Sequence, residues 1–172
     1  MLRLILLRHA KSDWPDNTDD HERPLAKRGR QASPLMGAYM NRERLRPNIA
    51  IVSTARRTQE TWEITRLAFT HNISQQDEPR IYEASASDIL HVIHETDVTA
   101  QTLLIVGHNP GLQDLALYLI EKGHQADLLG LANKYPTAAL AVIDFDVDRW
   151  NQLSKSAGTL ERFVTPGTVG DI

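Results

Sequence analysis

Leu4-Ile5-Leu6-Leu7-Arg8-His9-Ala10-Lys11-Ser12 is the stretch on which the fold turns. Four consecutive aliphatic residues suit a strand buried on both faces, as in a parallel sheet. Leu2 to Leu7 is read as that first strand. The apolar run stops at Arg8-His9, so the pair falls at the strand's carboxyl end, where open α/β sheets gather their ligands. A guanidinium beside an imidazole suits an anion. The arginine holds it while the histidine attacks it or moves its proton.

Outward from this strand, strand-like and helix-like segments alternate. Ser12 to Arg23 is polar and rich in aspartate and reads as a long loop. Leu25 to Leu45 has helical character, with Pro34 expected to delay its start or kink it. Ile49 to Ser53 reads as a second strand, Arg57 to Phe69 as a helix, and Arg80 to Tyr82 as a short strand. Ser85 is placed to cap a helix over Ile89 to Glu95. Gln101 to Val106 reads as a further strand and Leu112 to Glu121 as a helix, with a loop over Gly123 to Pro136. Ala138 to Phe145 is strand-like, and Trp150 to Leu153 and Leu160 to Val164 read as shorter strands. Strands alternating with helices imply an α/β fold, a three-layer α/β/α sandwich around a mostly parallel sheet. The late strands, without helices between them, suggest an antiparallel edge.

The 172 residues fit one domain, 1–172. A hydrophobic fraction of 41% is enough for a sizeable core, and a formal net charge of −3 gives no broad basic field for nucleic acid. There is no cysteine, which excludes disulfides and thiol nucleophiles and fits a cytoplasmic protein. No apolar run approaches the roughly 20 residues of a membrane span. Neither nucleic acid nor membrane is therefore expected as a partner.

Three strand ends carry matching chemistry. The first gives Arg8 and His9, the second Ser53-Thr54-Ala55-Arg56-Arg57-Thr58, and the third Gly107-His108-Asn109-Pro110-Gly111. In a parallel sheet these ends share one edge, so two histidines and two or three arginines could meet in one pocket. Helix amino termini would add N–H groups and a positive dipole end. Each segment alone reads as an ordinary turn or as surface charge; three together on one edge do not. Arg56 and Arg57 at a helix start oppose the macrodipole, and an anion between them and the histidines would remove that conflict.

Leu-Arg-His-Ala-Lys-Ser, Ser-x-Ala-x-Arg-Thr-x-x-Thr and Val-Gly-His-Asn-Pro-Gly resemble the signatures of the histidine phosphatase superfamily, best in its small SixA-type phosphohistidine phosphatases. Arg23-Pro-Leu-x-x-Arg-Gly and the late Trp150 with Phe163-Val-Thr-Pro166 fit the same group. The resemblance implies a phosphoglycerate mutase-like fold and catalysis through a phosphorylated histidine. On it, His9 is the nucleophile, Arg8, Arg57 and His108 bind and stabilise the phosphoryl group, and Ser12 adds a substrate contact. The superfamily's proton donor is an acidic residue, for which Glu83, in Ile-Tyr-Glu-Ala-Ser, is the candidate; its other reading is an exposed acidic residue in a turn.

The guanidinium pair can do for a phosphoryl group what a metal ion does elsewhere, so neither metal nor cofactor is expected. The expected substrate is a phosphohistidine on a protein. A small phosphomonoester, or a non-catalytic module that binds phosphate or a phosphoprotein, is the alternative. His91 and His94 share a helix face but read as incidental surface residues, and His21, His71 and His124 have no motif.

Overall fold

A computed structural model describes residues 1–97 and 99–169. Seven strands form one sheet: β1 (Leu2–Arg8), β2 (Ile49–Ser53), β3 (Ser74–Glu78), β4 (Thr102–Gly107), β5 (Ile120–Gly123), β6 (Leu140–Phe145) and β7 (Gly158–Val164). Their spatial order is β3-β2-β4-β1-β6-β7-β5. The helices are α1 (Lys27–Arg42), α2 (Arg56–Thr65), α3 (Ala86–His94), α4 (Gly111–Leu119), α5 (Gln125–Asn133) and α6 (Pro166–Val169).

β1 lies at the centre and alternates its side chains between two cores, as the period of a strand requires. Leu2, Leu4 and Leu6 face Ile89, Val92 and Ile93 of α3 and Leu112, Leu115 and Leu119 of α4. Ile5 and Leu7 face Met36 and Met40 of α1 and Trp62 of α2. Helices therefore cover both faces, and the architecture is the three-layer α/β/α sandwich expected. Each fully buried aliphatic side chain contributes about 1.5–3 kcal/mol. The sheet is mostly parallel, and antiparallel pairing falls on the side of the late strands: β6 runs against β1 and β7. β5 closes that side, parallel to β7.

Several boundaries differ from the sequence reading. The short strand placed at Arg80 to Tyr82 lies earlier, at Ser74–Glu78, and Pro79–Ile81 forms a 3₁₀ turn. Ser-Gln-Gln-Asp-Glu shows no apolar alternation because β3 is an edge strand, exposed along most of its length and held by backbone pairing to β2. The loop placed at Gly123 to Pro136 contains α5, which buries only Leu131. The helix expected to reach Glu121 ends at Leu119, where the chain enters β5. Trp150–Gln152 is a 3₁₀ turn rather than a strand, with the buried indole donating to the Ala100 carbonyl at 2.7 Å. α1 begins seven residues before Pro34 and runs through it, with the Ser33 hydroxyl bonded to the Gly29 carbonyl at 2.8 Å. Ser85 caps α3 in a reciprocal capping box with Asp88, as its position in the sequence suggests.

Gly29 is fixed by a close approach. A Cβ there would sit 2.2 Å from the Lys11 carbonyl oxygen, so only glycine lets α1 pass against the segment that follows His9.

Candidate active site

The carboxyl ends of β1, β2 and β4 lie side by side. The His9 amide donates to the Gly107 carbonyl at 3.0 Å, which makes His9 and His108 neighbours across two strands. Their ring centres are 5.3 Å apart, and the residues are only 7% and 8% exposed. Arg57, in the first turn of α2, is equally buried. Arg8 anchors Nη1 on the Tyr135 carbonyl at 2.8 Å. The structure thus brings together four of the residues singled out in the sequence: Arg8, His9, Arg57 and His108.

The motif threonines position this group. The Thr58 hydroxyl bonds back to the Ser53 and Ala55 carbonyls, fixing the turn from β2 into α2. Thr61 accepts the Ala10 amide at 3.0 Å and donates to the Arg57 carbonyl at 2.7 Å, tying the segment after β1 to α2.

His9 Nδ1 lies 2.8 Å from the Ala10 carbonyl oxygen. A carbonyl only accepts, so Nδ1 carries the ring proton and Nε2 keeps its lone pair. Burial pushes the His9 imidazole down to about 3, with the charges of His108, Arg57 and Arg8 acting in the same direction and the Ala10 hydrogen bond against them. Burial and Arg57 likewise bring His108 to about 3. Both rings are neutral at ordinary pH. Arg8 Nε, Arg57 Nε and His108 Nδ1 are buried and, among the described residues, without a hydrogen-bond partner. Such atoms are costly unless something meets them. A tetrahedral oxyanion, with acceptors on every side, is the chemistry that fits two guanidinium groups and a neutral imidazole.

A carboxylate that the sequence reading passed over completes the site. Asp20 sits in a 3₁₀ turn of the long loop. Its carbonyl accepts from Arg57 Nη1 at 2.7 Å and its carboxylate from Arg57 Nη2 at 3.2 Å. Arg23 and the Tyr82 hydroxyl bond the same carboxylate. The Tyr82 hydrogen bond, with Arg23 and Arg57, holds Asp20 down to about 2, so it is ionised. Tyr82 meets both His108 and His21 edge to face, with ring centres 5.5 Å and 4.8 Å apart, and His21 bonds Thr54.

Ser12 and Glu83 stand apart. The Ser12 hydroxyl accepts from Arg23 at 2.9 Å and braces the loop. Glu83 is exposed, in a left-handed backbone conformation with φ 52, and makes no hydrogen bond to either histidine. A groove of about 380 Å³ is lined by Lys11, Arg28, Gln31, Pro136 and Thr137; Arg8, His9, Arg57 and His108 do not line it, and it is linked to them through the chain, Lys11 following His9 by two residues. His91 pairs with Glu95 and His94 bonds the Leu153 carbonyl. Among the described residues no three acidic or histidine side chains converge to hold a metal ion, and no helix is long and apolar enough to cross a membrane.

Comparison with known proteins agrees with this geometry. Residues 4–97 match the family model of the histidine phosphatase superfamily (branch 1). An uncharacterized protein of Mycobacterium tuberculosis is 30% identical over 162 residues, covering 93% of this chain and 99% of its own. The solved structure assigned as phosphohistidine phosphatase SixA from Agrobacterium tumefaciens superposes with a TM-score of 0.79 at 26% identity, over 96% of this chain and 99% of that one. The protein histidine phosphatase SixA complexed with tungstate gives 0.76 at 18% identity, over 97% and 99%. With two neutral imidazoles and two guanidinium groups gathered at one sheet edge, the chain belongs to the histidine phosphatase superfamily and is a phosphatase of its SixA type.

Proposed function

We propose that the protein hydrolyses phosphohistidine on another protein, through a phosphorylated His9, as a single catalytic domain of the cytoplasm. In the first step the His9 Nε2 lone pair forms a bond to phosphorus and the substrate's P–N bond breaks. The departing imidazole takes its proton from solvent on its other ring nitrogen and leaves neutral. In the second step water attacks phosphorus, the bond to Nε2 breaks, inorganic phosphate leaves, and the proton of the water passes to phosphate or solvent. His9 keeps its Nδ1 proton throughout, on the Ala10 carbonyl.

Arg8, Arg57 and His108 hold the equatorial oxygens as charge shifts between attacking and leaving groups. On this reading the reaction needs no metal ion, because these donors neutralise the phosphoryl charge themselves, and treatment with a chelator is expected to leave the rate unchanged.

The observation that carries the choice of substrate is the state of Asp20. The carboxylate built into the site is ionised and committed to Arg57, Arg23 and Tyr82. It has no proton to give an alkoxide, whereas an imidazole departs without one from the enzyme. Glu83, exposed and one residue after the Tyr82 that bonds Asp20, is the candidate donor for alkoxide leaving groups. The groove that includes Lys11, two residues after His9, gives room for a segment of a protein substrate.

The test is to incubate the protein with a ³²P-phosphohistidine protein and to compare its rate with that on alkyl phosphates. Label on His9, faster turnover of the phosphohistidine protein, and loss of about 10⁴-fold or more in His9→Ala are expected. Undiminished turnover in that folded variant, or a preference for alkyl phosphates, refutes the reading.

A further inference from the structure

Ser53 ends β2 and is fully buried. Its Oγ lies 2.8 Å from His108 Nε2 and accepts the Ala55 amide at 3.3 Å. A serine hydroxyl has one proton, and a neutral imidazole has one N–H. Among the described residues, the acceptor within reach of the Ser53 proton is His108 Nε2. Were Nε2 protonated instead, two donors would point at one hydroxyl and the hydroxyl's own buried proton would have nowhere to go.

We propose that Ser53 is the positioning residue that selects the tautomer of His108: its hydroxyl donates to Nε2 and so keeps the ring proton on Nδ1. That nitrogen is buried without a protein partner, on a ring adjacent to the nucleophile. It is then a neutral donor for a phosphoryl oxygen. With the opposite tautomer, Nδ1 would present a lone pair to an anion, and the contact would repel rather than bind. The ring nitrogen that carries the proton is set by the bond its other nitrogen makes. The two histidines use this rule with opposite partners. A carbonyl acceptor at Ala10 leaves His9 a free lone pair, and a hydroxyl donor at Ser53 leaves His108 a free proton. Of the charged and titratable groups around His108, Arg57, Arg8 and His21 oppose a second proton and Asp20 favours it; Tyr82 packs against the ring and His9 faces it. The balance keeps the ring neutral, the state in which a tautomer matters.

This role rests on the phosphatase reading, but its first test needs no substrate. In protein labelled with ¹⁵N-histidine, ring nitrogen shifts report which atom of His108 is protonated. Nδ1–H is expected in the native protein, and a shift toward Nε2–H in Ser53→Ala. Ser53→Thr retains the hydroxyl and is expected to retain the tautomer. Turnover of a phosphohistidine protein is expected to fall about 10–100-fold in Ser53→Ala, with no further fall when the same change is made in His108→Gln. A native ring protonated on Nε2 overturns the proposal, and so does an equal loss in the His108→Gln background. A failed substrate assignment would show differently, as native tautomers without turnover of phosphohistidine.

Discussion

Arg57 and Arg162 are both largely shielded from solvent, yet they are treated in opposite ways. Arg162, on β7, spends its nitrogens on Glu161, Glu43 and the Tyr39 hydroxyl. Arg57 is fastened by one end to Asp20, while its Nε stays buried without a partner, as does that of Arg8. At the sheet's far side, cations are neutralised within the protein. At the carboxyl edge the protein orients its guanidinium groups and leaves donors unspent. The difference separates an arginine that holds the fold from one that awaits an anion.

The sharpest way to break this contrast is Arg57→Ala. Removing one preorganised donor from a developing anion costs about 10²–10³-fold in turnover, measured on the phosphohistidine protein at saturating substrate. A loss below tenfold would mean that Arg57 belongs with Arg162. Glu83→Gln comes next. On an alkyl phosphate the loss is expected near 10²-fold, the scale of general acid catalysis, and on phosphohistidine much less. Equal losses on both would remove the leaving-group distinction.

Acid stability sharpens the same comparison. His9 and His108 bind their protons more weakly folded than unfolded, moving from 6.5 to about 3. Unfolding therefore takes up protons below pH 6.5. Stability is whole above that value and drains away as pH falls toward 3, by at most about 1.4 kcal/mol per pH unit for each ring. Thermal melts from pH 7 to pH 5 should show a decline that is shallower in His108→Asn; an unchanged slope would show that the ring titrates normally. Arg162→Ala closes the series. It should leave turnover alone and cost on the order of 1 kcal/mol in denaturant unfolding, as expected of a partly exposed network of ion pairs.

Much of this was legible in the sequence, for reasons particular residues make plain. Leu4 to Leu7 had to be a buried strand, and a sheet with its strand ends aligned had to bring Arg8, His9, Arg57 and His108 to one edge. Hydropathy was silent where burial was slight. Ser74–Glu78 pairs through its backbone with its side chains mostly in water, and α5 buries one leucine, so neither shows a period. Asp20 and Tyr82 were hidden for another reason. They meet Arg57 from segments far apart in the chain, and an aspartate among Asp13, Asp16 and Asp19 carries no local mark of being the one that turns inward.

The oxygen that orients the nucleophile belongs to the peptide group between Ala10 and Lys11. No exchange of side chains can delete it. Evolution can tune the arginines, the loop carboxylate or the serine by single codon changes, but the aim of the attacking nitrogen is written into the main chain. It will persist in any descendant that keeps the histidine and the path of the strand leading to it.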